Sequence, residues 1–212
     1  MTGNADFAID YTREEINRYG HSVLLLSHNP QNLSMAMRRL YQSFADGCDQ
    51  VFSLTYSPDI DSPETFLSAL ASSMNIGIDD IKFNGKLDFE RFKRVVRTIK
   101  KPILVVDRLD KLLFYGGRVH QRVDIASYLH TLESVLECTP SESYKKLREF
   151  HEVFHGIPNA FLRVLTSDRE LCITGSAVKG TVEHDFVFNN SKSPIWCNLA
   201  EYDLDRDWAS QD

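Results

Sequence analysis

The chain has 212 residues, 42% of them hydrophobic and 25% charged, which suits a single globular domain over 1–212 with a substantial core. A formal net charge of −6 excludes a chain-wide electrostatic footprint for nucleic acid. No apolar run approaches the length of a membrane span and Met1 to Asp6 lack the basic-then-apolar order of a signal peptide, so the expectation is an intracellular protein, cytoplasmic or nuclear, without a membrane partner.

Thr12-Arg13-Glu14-Glu15 has the spacing of a capping box, which predicts Thr12 as the N-cap of a short helix reaching Gly20. Val23 to Leu26 form a continuously apolar run, as a strand buried on both faces requires. Turn formers at 27–32 lead into a helix with Met35, Met37, Leu40, Tyr41 and Phe44 on its apolar stripe. Val51 to Tyr56 read as a second strand, and Asp61-Ser62-Pro63-Glu64 open a helix that turns Phe66, Leu67, Leu70 and Met74 inward.

A helix is predicted over 88–100, with Phe89, Phe92, Val96 and Ile99 on an apolar face. Its basic residues, Arg91, Lys93, Arg94, Arg97, Lys100 and Lys101, read as a solvated face. Ile103 to Asp107 form a third strand closed by a carboxylate. A long helical stretch follows, interrupted near Gly116-Gly117 and Thr139-Pro140. Leu171 to Ser176 are the fourth strand and Ile195 to Leu199 the fifth. Tyr11, Tyr19 and Tyr41 are read as packing residues. Strands alternating with helices predict an α/β fold: a parallel sheet of about five strands with helices on both faces.

The loop after the first strand reads Ser27-His28-Asn29-Pro30-Gln31-Asn32-Leu33-Ser34. Against the phosphate-binding pattern G-x-x-x-x-G-K-[ST], Ser27 and Asn32 stand at the glycine positions, Leu33 at the lysine, and Ser34 at the magnesium-ligating hydroxyl. Asn32 tolerates left-handed backbone angles and is expected to keep part of the turn. Leu33 supplies no ammonium for the β- and γ-phosphates, a loss of about 1.5–3 kcal/mol.

Downstream, Ile103-Leu104-Val105-Val106-Asp107-Arg108-Leu109-Asp110 resembles the Walker B strand of AAA+-type P-loop ATPases, including those of origin recognition and transposition. Asp107 matches the magnesium-coordinating aspartate and Asp110 the later aspartate of that pattern. Arg108 stands where the family has its water-activating glutamate and, having no acceptor, cannot act as a base. The strand at 171–176 resembles the one ending in a polar sensor, with Thr174 or Ser176 in that role. The resemblance covers about 12–208 and implies a P-loop fold in which Ser27, Asn32, Ser34, Asp107, Asp110 and Ser176 would face ATP and magnesium. The helical lid of the family is expected to be absent. With Leu33 and Arg108 in place of catalytic residues, the expected function is an inactive or weakly nucleotide-binding module. It would work through another protein or subunit, with nucleic acid a partner by analogy alone. A residual magnesium-ATP-dependent activity that needs a partner is the alternative.

His151-Glu152-Val153-Phe154-His155 is a literal H-E-x-x-H, so a zinc hydrolase with Glu152 as base is a further alternative. Pro158 and Phe161 stand where an extended metzincin motif would want glycine and histidine, which favours two flanking surface histidines. Arg118 and Arg122, near Gly116-Gly117, are candidates for an anion contact. Cys48, Cys138, Cys172 and Cys197 form no CxxC pair and read as ordinary thiols of a reducing compartment.

Overall fold

The computed structural model describes residues 3–47, 50–60, 63–115, 171–188 and 199–206. In chain order these form α1 (Gly3–Glu14), a π-helical turn (Glu15–Tyr19), β1 (Ser22–Ser27), α2 (Pro30–Asp46), β2 (Val51–Thr55) and α3 (Pro63–Ser73). There follow a 3₁₀ turn (Ile78–Ile81), β3 (Lys82–Phe83), β4 (Lys86–Leu87), α4 (Phe89–Val96), β5 (Ile103–Asp107), α5 (Leu109–Tyr115), β6 (Cys172–Val178), α6 (Val182–Val187) and β7 (Leu199–Asp203). Five strands make one parallel sheet in the order β2-β5-β6-β1-β7, and β3 and β4 pair separately as an antiparallel hairpin. The expected α/β class, with about five parallel strands and helices on both faces, is the observed one.

The layering follows from strand order. The chain leaves β1, crosses to the far edge at β2, and then returns through β5 and β6 to β7. Right-handed crossovers therefore send α2 to one face and the later helices to the other. The two cores match that division. Val23, Leu25, Ile103 and Val105 pack with Leu33, Met37, Leu40 and Phe44 of α2 on one side. Leu24, Leu26, Leu104, Val106 and Ile173 pack with α3, α4, α5 and α6 on the other. All six residues of β1 are buried, so its run of leucines reads as continuously apolar because both faces are covered.

Several expected boundaries move. Thr12 is no N-cap: it lies inside α1, where its hydroxyl donates to the Ala8 carbonyl at 2.7 Å, the back-bond open to a helical threonine. The π turn absorbs one extra residue per turn before Gly20, at φ 68°, closes the helix. Met35 is 60% exposed, because the stripe of α2 that meets the sheet runs through Leu33, Ala36, Met37, Leu40 and Phe44. Tyr19 is also exposed and stacks on His21. The predicted helix over 88–100 ends as α-helix at Val96; of the predicted fifth strand, Ile195 to Asn198 lie outside the described residues and Leu199 is in β7. The sequence Phe83-Asn84-Gly85-Lys86 makes a hairpin turn, with both central residues at positive φ as such a turn requires.

At Gly175 a helix comes into close contact with the sheet. A Cβ built there would lie 2.2 Å from Leu109 Cδ2 and 2.8 Å from Leu109 Cβ, so α5 rests directly on the backbone of β6. Gly175→Ala is expected to destabilise the fold by about 1–3 kcal/mol, as overpacking does. Chemical denaturation at unchanged slope is the measurement, and a neutral result would mean that α5 can lift off the sheet.

Candidate functional site

Ligands of open α/β sheets bind outside the carboxyl ends of the strands, where neighbouring connections depart to opposite faces. Here that point lies between β1, whose chain continues into α2, and β6, whose chain continues into α6. The register brings Ser27 opposite Val178, Leu26 opposite Asp203, and Thr55 opposite Asp107, so the polar residues of four strands collect at one end of the sheet.

Three sequence-predicted residues meet there. Asp107 accepts hydrogen bonds from Ser34 Oγ at 3.2 Å and from Ser176 Oγ at 2.9 Å, one on each carboxylate oxygen. Ser176 in turn accepts from the Arg108 backbone N–H at 2.8 Å. Of the two sensor candidates, Ser176 therefore contacts the acid. Thr174 lies two residues deeper in β6, buried, with no hydrogen-bond partner for its hydroxyl among the described residues. Ser34, Asp107 and their neighbours Arg38, Tyr41, Ser53 and Thr55 line a cavity of about 380 Å³ between α2 and β2.

Arg108 and Asp110 form a second unit. Arg108 stands at φ 62°, a left-handed conformation that turns the chain from β5 into α5 within one residue. Its guanidinium folds back onto the buried Asp110 through Nε at 2.9 Å and Nη2 at 2.8 Å. The backbone N–H groups of Lys111 and Val178 also donate to Asp110. Asp110 thus ties α5 to β6 and does not face the cavity. Removing one partner of such a pair leaves an uncompensated buried charge, a cost of about 3–5 kcal/mol.

The loop after β1 differs from the expected phosphate loop. Asn32 keeps no left-handed turn, because α2 already begins at Pro30 and includes it. Asn29 is the N-cap, its side chain accepting from Gln31 N at 2.9 Å and Asn32 N at 3.4 Å, and its carbonyl accepts from Leu33 N at 3.2 Å. Asn29 N donates to Ser27 Oγ at 2.9 Å, and His28 N donates to Asp205 Oδ2 at 2.8 Å. From His28 to Leu33 every backbone N–H is engaged within the protein, Pro30 having none. Leu33, in the first turns of α2, is fully buried in the core between that helix and the sheet. The loop is only Ser27 to Asn29 long, too short to wrap a phosphate.

Asp205 gathers the donors at the end of β1. Its carboxylate accepts from Ser27 Oγ at 2.6 Å, from His28 N, and from His28 Nδ1 at 2.9 Å, with Lys179 Nζ at 3.0 Å. Burial alone would raise its pKa, but these donors outweigh burial and hold the carboxyl well below the usual range. Lys179 also binds Asp203 at 2.7 and 2.9 Å, and its two carboxylate partners hold its pKa up against burial.

His28, Lys179, Asp203 and Asp205 were not singled out by sequence reasoning, since they are up to 177 residues apart and meet only through the parallel pairing of β1 with β6 and β7. Asn29 had a local signal: Asn before Pro is an N-cap followed by a first-turn proline. His151, Glu152, His155, Gly116, Gly117, Arg118 and Arg122 lie outside the described residues. Among the described residues no three His, Cys, Asp or Glu side chains cluster as a metal site, and no helix is long and apolar enough to cross a membrane.

The donor set does not suit the nucleotide that the AAA+ resemblance implies. Ser34 and Asp107 supply hard oxygens of the kind magnesium takes, but magnesium in such sites also relies on substrate phosphates. The N–H groups and ammonium that would hold those phosphates are engaged or missing.

Two outcomes follow. Asp205→Asn should cost about 2 kcal/mol at neutral pH, the scale of one charge-assisted hydrogen bond. The folded carboxyl is depressed, so its stabilisation is complete above the unfolded value near pH 3.9 and is lost as pH falls through the folded one. The stability gap between wild type and Asp205→Asn should therefore be flat from about pH 7 to 5 and narrow below about pH 4. Both Arg108→Ala and Arg108→Gly break the pair with Asp110, but glycine accepts the positive φ, so it should be the milder change by about 1 kcal/mol in denaturant unfolding. No protein-family model matches this chain, and no curated protein matches it.

Proposed function

We propose that this chain is a non-hydrolysing AAA+-like domain that works as a protein-interaction scaffold. The observation that carries the reading is the closed loop after β1, in which every N–H from His28 to Leu33 is already bonded within the protein. A helix N-terminus binds phosphate through free N–H groups and its dipole, and Asn29 and Asp205 have taken that role over from any ligand.

Three further features support it. Leu33 is a core residue of α2, so the lysine position serves packing. Arg108 occupies the position of the catalytic base and is locked on Asp110. Finally, β6 lies between β1 and the acid-ended β5, the interposed strand that an AAA+-type core calls for. Counted within the main sheet alone, the order is 2-3-4-1-5, unlike the dinucleotide-binding order 3-2-1-4-5-6 and the flavodoxin-like order 2-1-3-4-5.

The contact of Ser34 and Ser176 with Asp107 favours the second reading, a residual magnesium-ATP site that a partner completes. Calorimetric titration separates the two. Wild type is expected to show no saturable heat with millimolar magnesium-ATP, and Asp107→Ala is expected to behave identically. ATP turnover that Asp107→Ala abolishes would overturn the scaffold reading.

A further inference from the structure

The charge of this chain is segregated. Residues 82–101 carry eight basic side chains and two acidic ones, a net of +6, so the rest of a chain whose total is −6 carries −12. In the fold this stretch is the β3–β4 hairpin, α4 and the turns that follow it. One of the two acids, Asp88, is the N-cap of α4 and accepts from Arg91 N at 2.8 Å. Phe92 and Val96 fasten α4 to the core, while Arg94 of α4 and Arg97, Lys100 and Lys101 just after it are exposed.

The hairpin adds a different chemistry. Asn84 and Gly85 form its tip, with Lys82 and Lys86 exposed on either side. Lys82 is paired with Asp79 at the surface. Phe83 is 54% exposed, and the Arg91 guanidinium lies 5.1 Å from its ring centroid. A ring with more than half of its surface exposed is thus steadied by a cation, in the middle of the strongly basic stretch of an acidic chain.

We propose that the β3–β4 hairpin and α4 form a docking surface for single-stranded nucleic acid, with Phe83 stacking a base and Lys86, Arg91, Arg94 and Arg97 meeting phosphates. Cations alone would suit any polyanion. An exposed aromatic face among them gains most from an unpaired base, which offers a π-face that a duplex keeps stacked and an acidic polypeptide lacks. This surface is remote in sequence from the closed loop after β1, and the proposal goes beyond the scaffold reading without depending on it.

The test is fluorescence anisotropy of the full chain with labelled single-stranded DNA and RNA of about 20 nucleotides, at several salt concentrations. Wild type should bind, with affinity falling steeply as salt rises. Phe83→Ala should weaken binding about tenfold and leave the salt slope unchanged. Arg94→Gln combined with Arg97→Gln should weaken binding and make the slope shallower by about 1–2. Phe83, Arg94 and Arg97 are exposed, and circular dichroism checks that each variant is folded. Absence of binding at low salt would overturn the proposal, as would indifference to Phe83→Ala. Duplex DNA binding as tightly as the single strand would also overturn it. So would polyglutamate competing as well as the oligonucleotide, which would make the patch a surface for acidic proteins.

Discussion

The sheet is organised around one strand that has no exposed side. Every residue from Ser22 to Ser27 is buried, and β1 is paired along its length on both edges, to β6 and to β7. A strand in that position can leave only at its ends, and its carboxyl end must deliver the chain to one face while its neighbour β6 delivers to the other. Both hydrophobic cores are consequences of that geometry, as is the crevice between the two departing connections.

What fills the crevice is electrostatic and internal. The donors that gather at the end of β1 are those that would suit an oxyanion, yet they converge on Asp205 and on the side chain of Asn29. Asp107 is satisfied in the same way, by Ser34 and Ser176. Buried or half-buried polar groups are costly when left without partners, and the polar side chains at this end of the sheet relieve that cost by bonding to one another. Among the described residues Thr174 is an exception, a buried hydroxyl without a hydrogen-bond partner in the middle of β6. The same logic accounts for Arg108 and the buried Asp110, which pair with each other at the turn from β5 into α5.

The parts of the fold that could be read from the sequence are those where local pattern and global burial coincide. Val23 to Leu26 and Ile103 to Val106 are apolar at consecutive positions because the sheet is covered on both faces, so their strands are visible without any knowledge of neighbours. Thr12 misled because the spacing of a capping box also fits the interior of a helix, where a threonine hydroxyl can bond to the preceding turn. Met35 misled because a stripe can be drawn one residue to either side of the one the sheet selects. At the site, Ser34, Asp107 and Ser176 could be foreseen as a group because a family pattern ties their spacing to one chemistry. Asp205 and Lys179 could not, since nothing near either in sequence marks them, and their meeting with Ser27 depends on the register of β1 with β6 and β7.

That register sets the order in which the protein can be built. Ser22 lies 151 residues from Ile173, to which its hydroxyl is bonded, and His28 lies 177 residues from Asp205. At about 5–20 residues per second, a ribosome needs roughly 8–30 s to make the chain between β1 and its first strand partner. During that interval β1, buried along its whole length in the finished fold, has been synthesised with both hydrogen-bonding edges open, while β2 and β5 can already pair with each other. The two pairings of β1, first with β6 and then with the edge strand β7, are therefore the last parts of the sheet to close. Nascent chains of this protein present an unpaired hydrophobic strand to chaperones until the residues of β6 have been made.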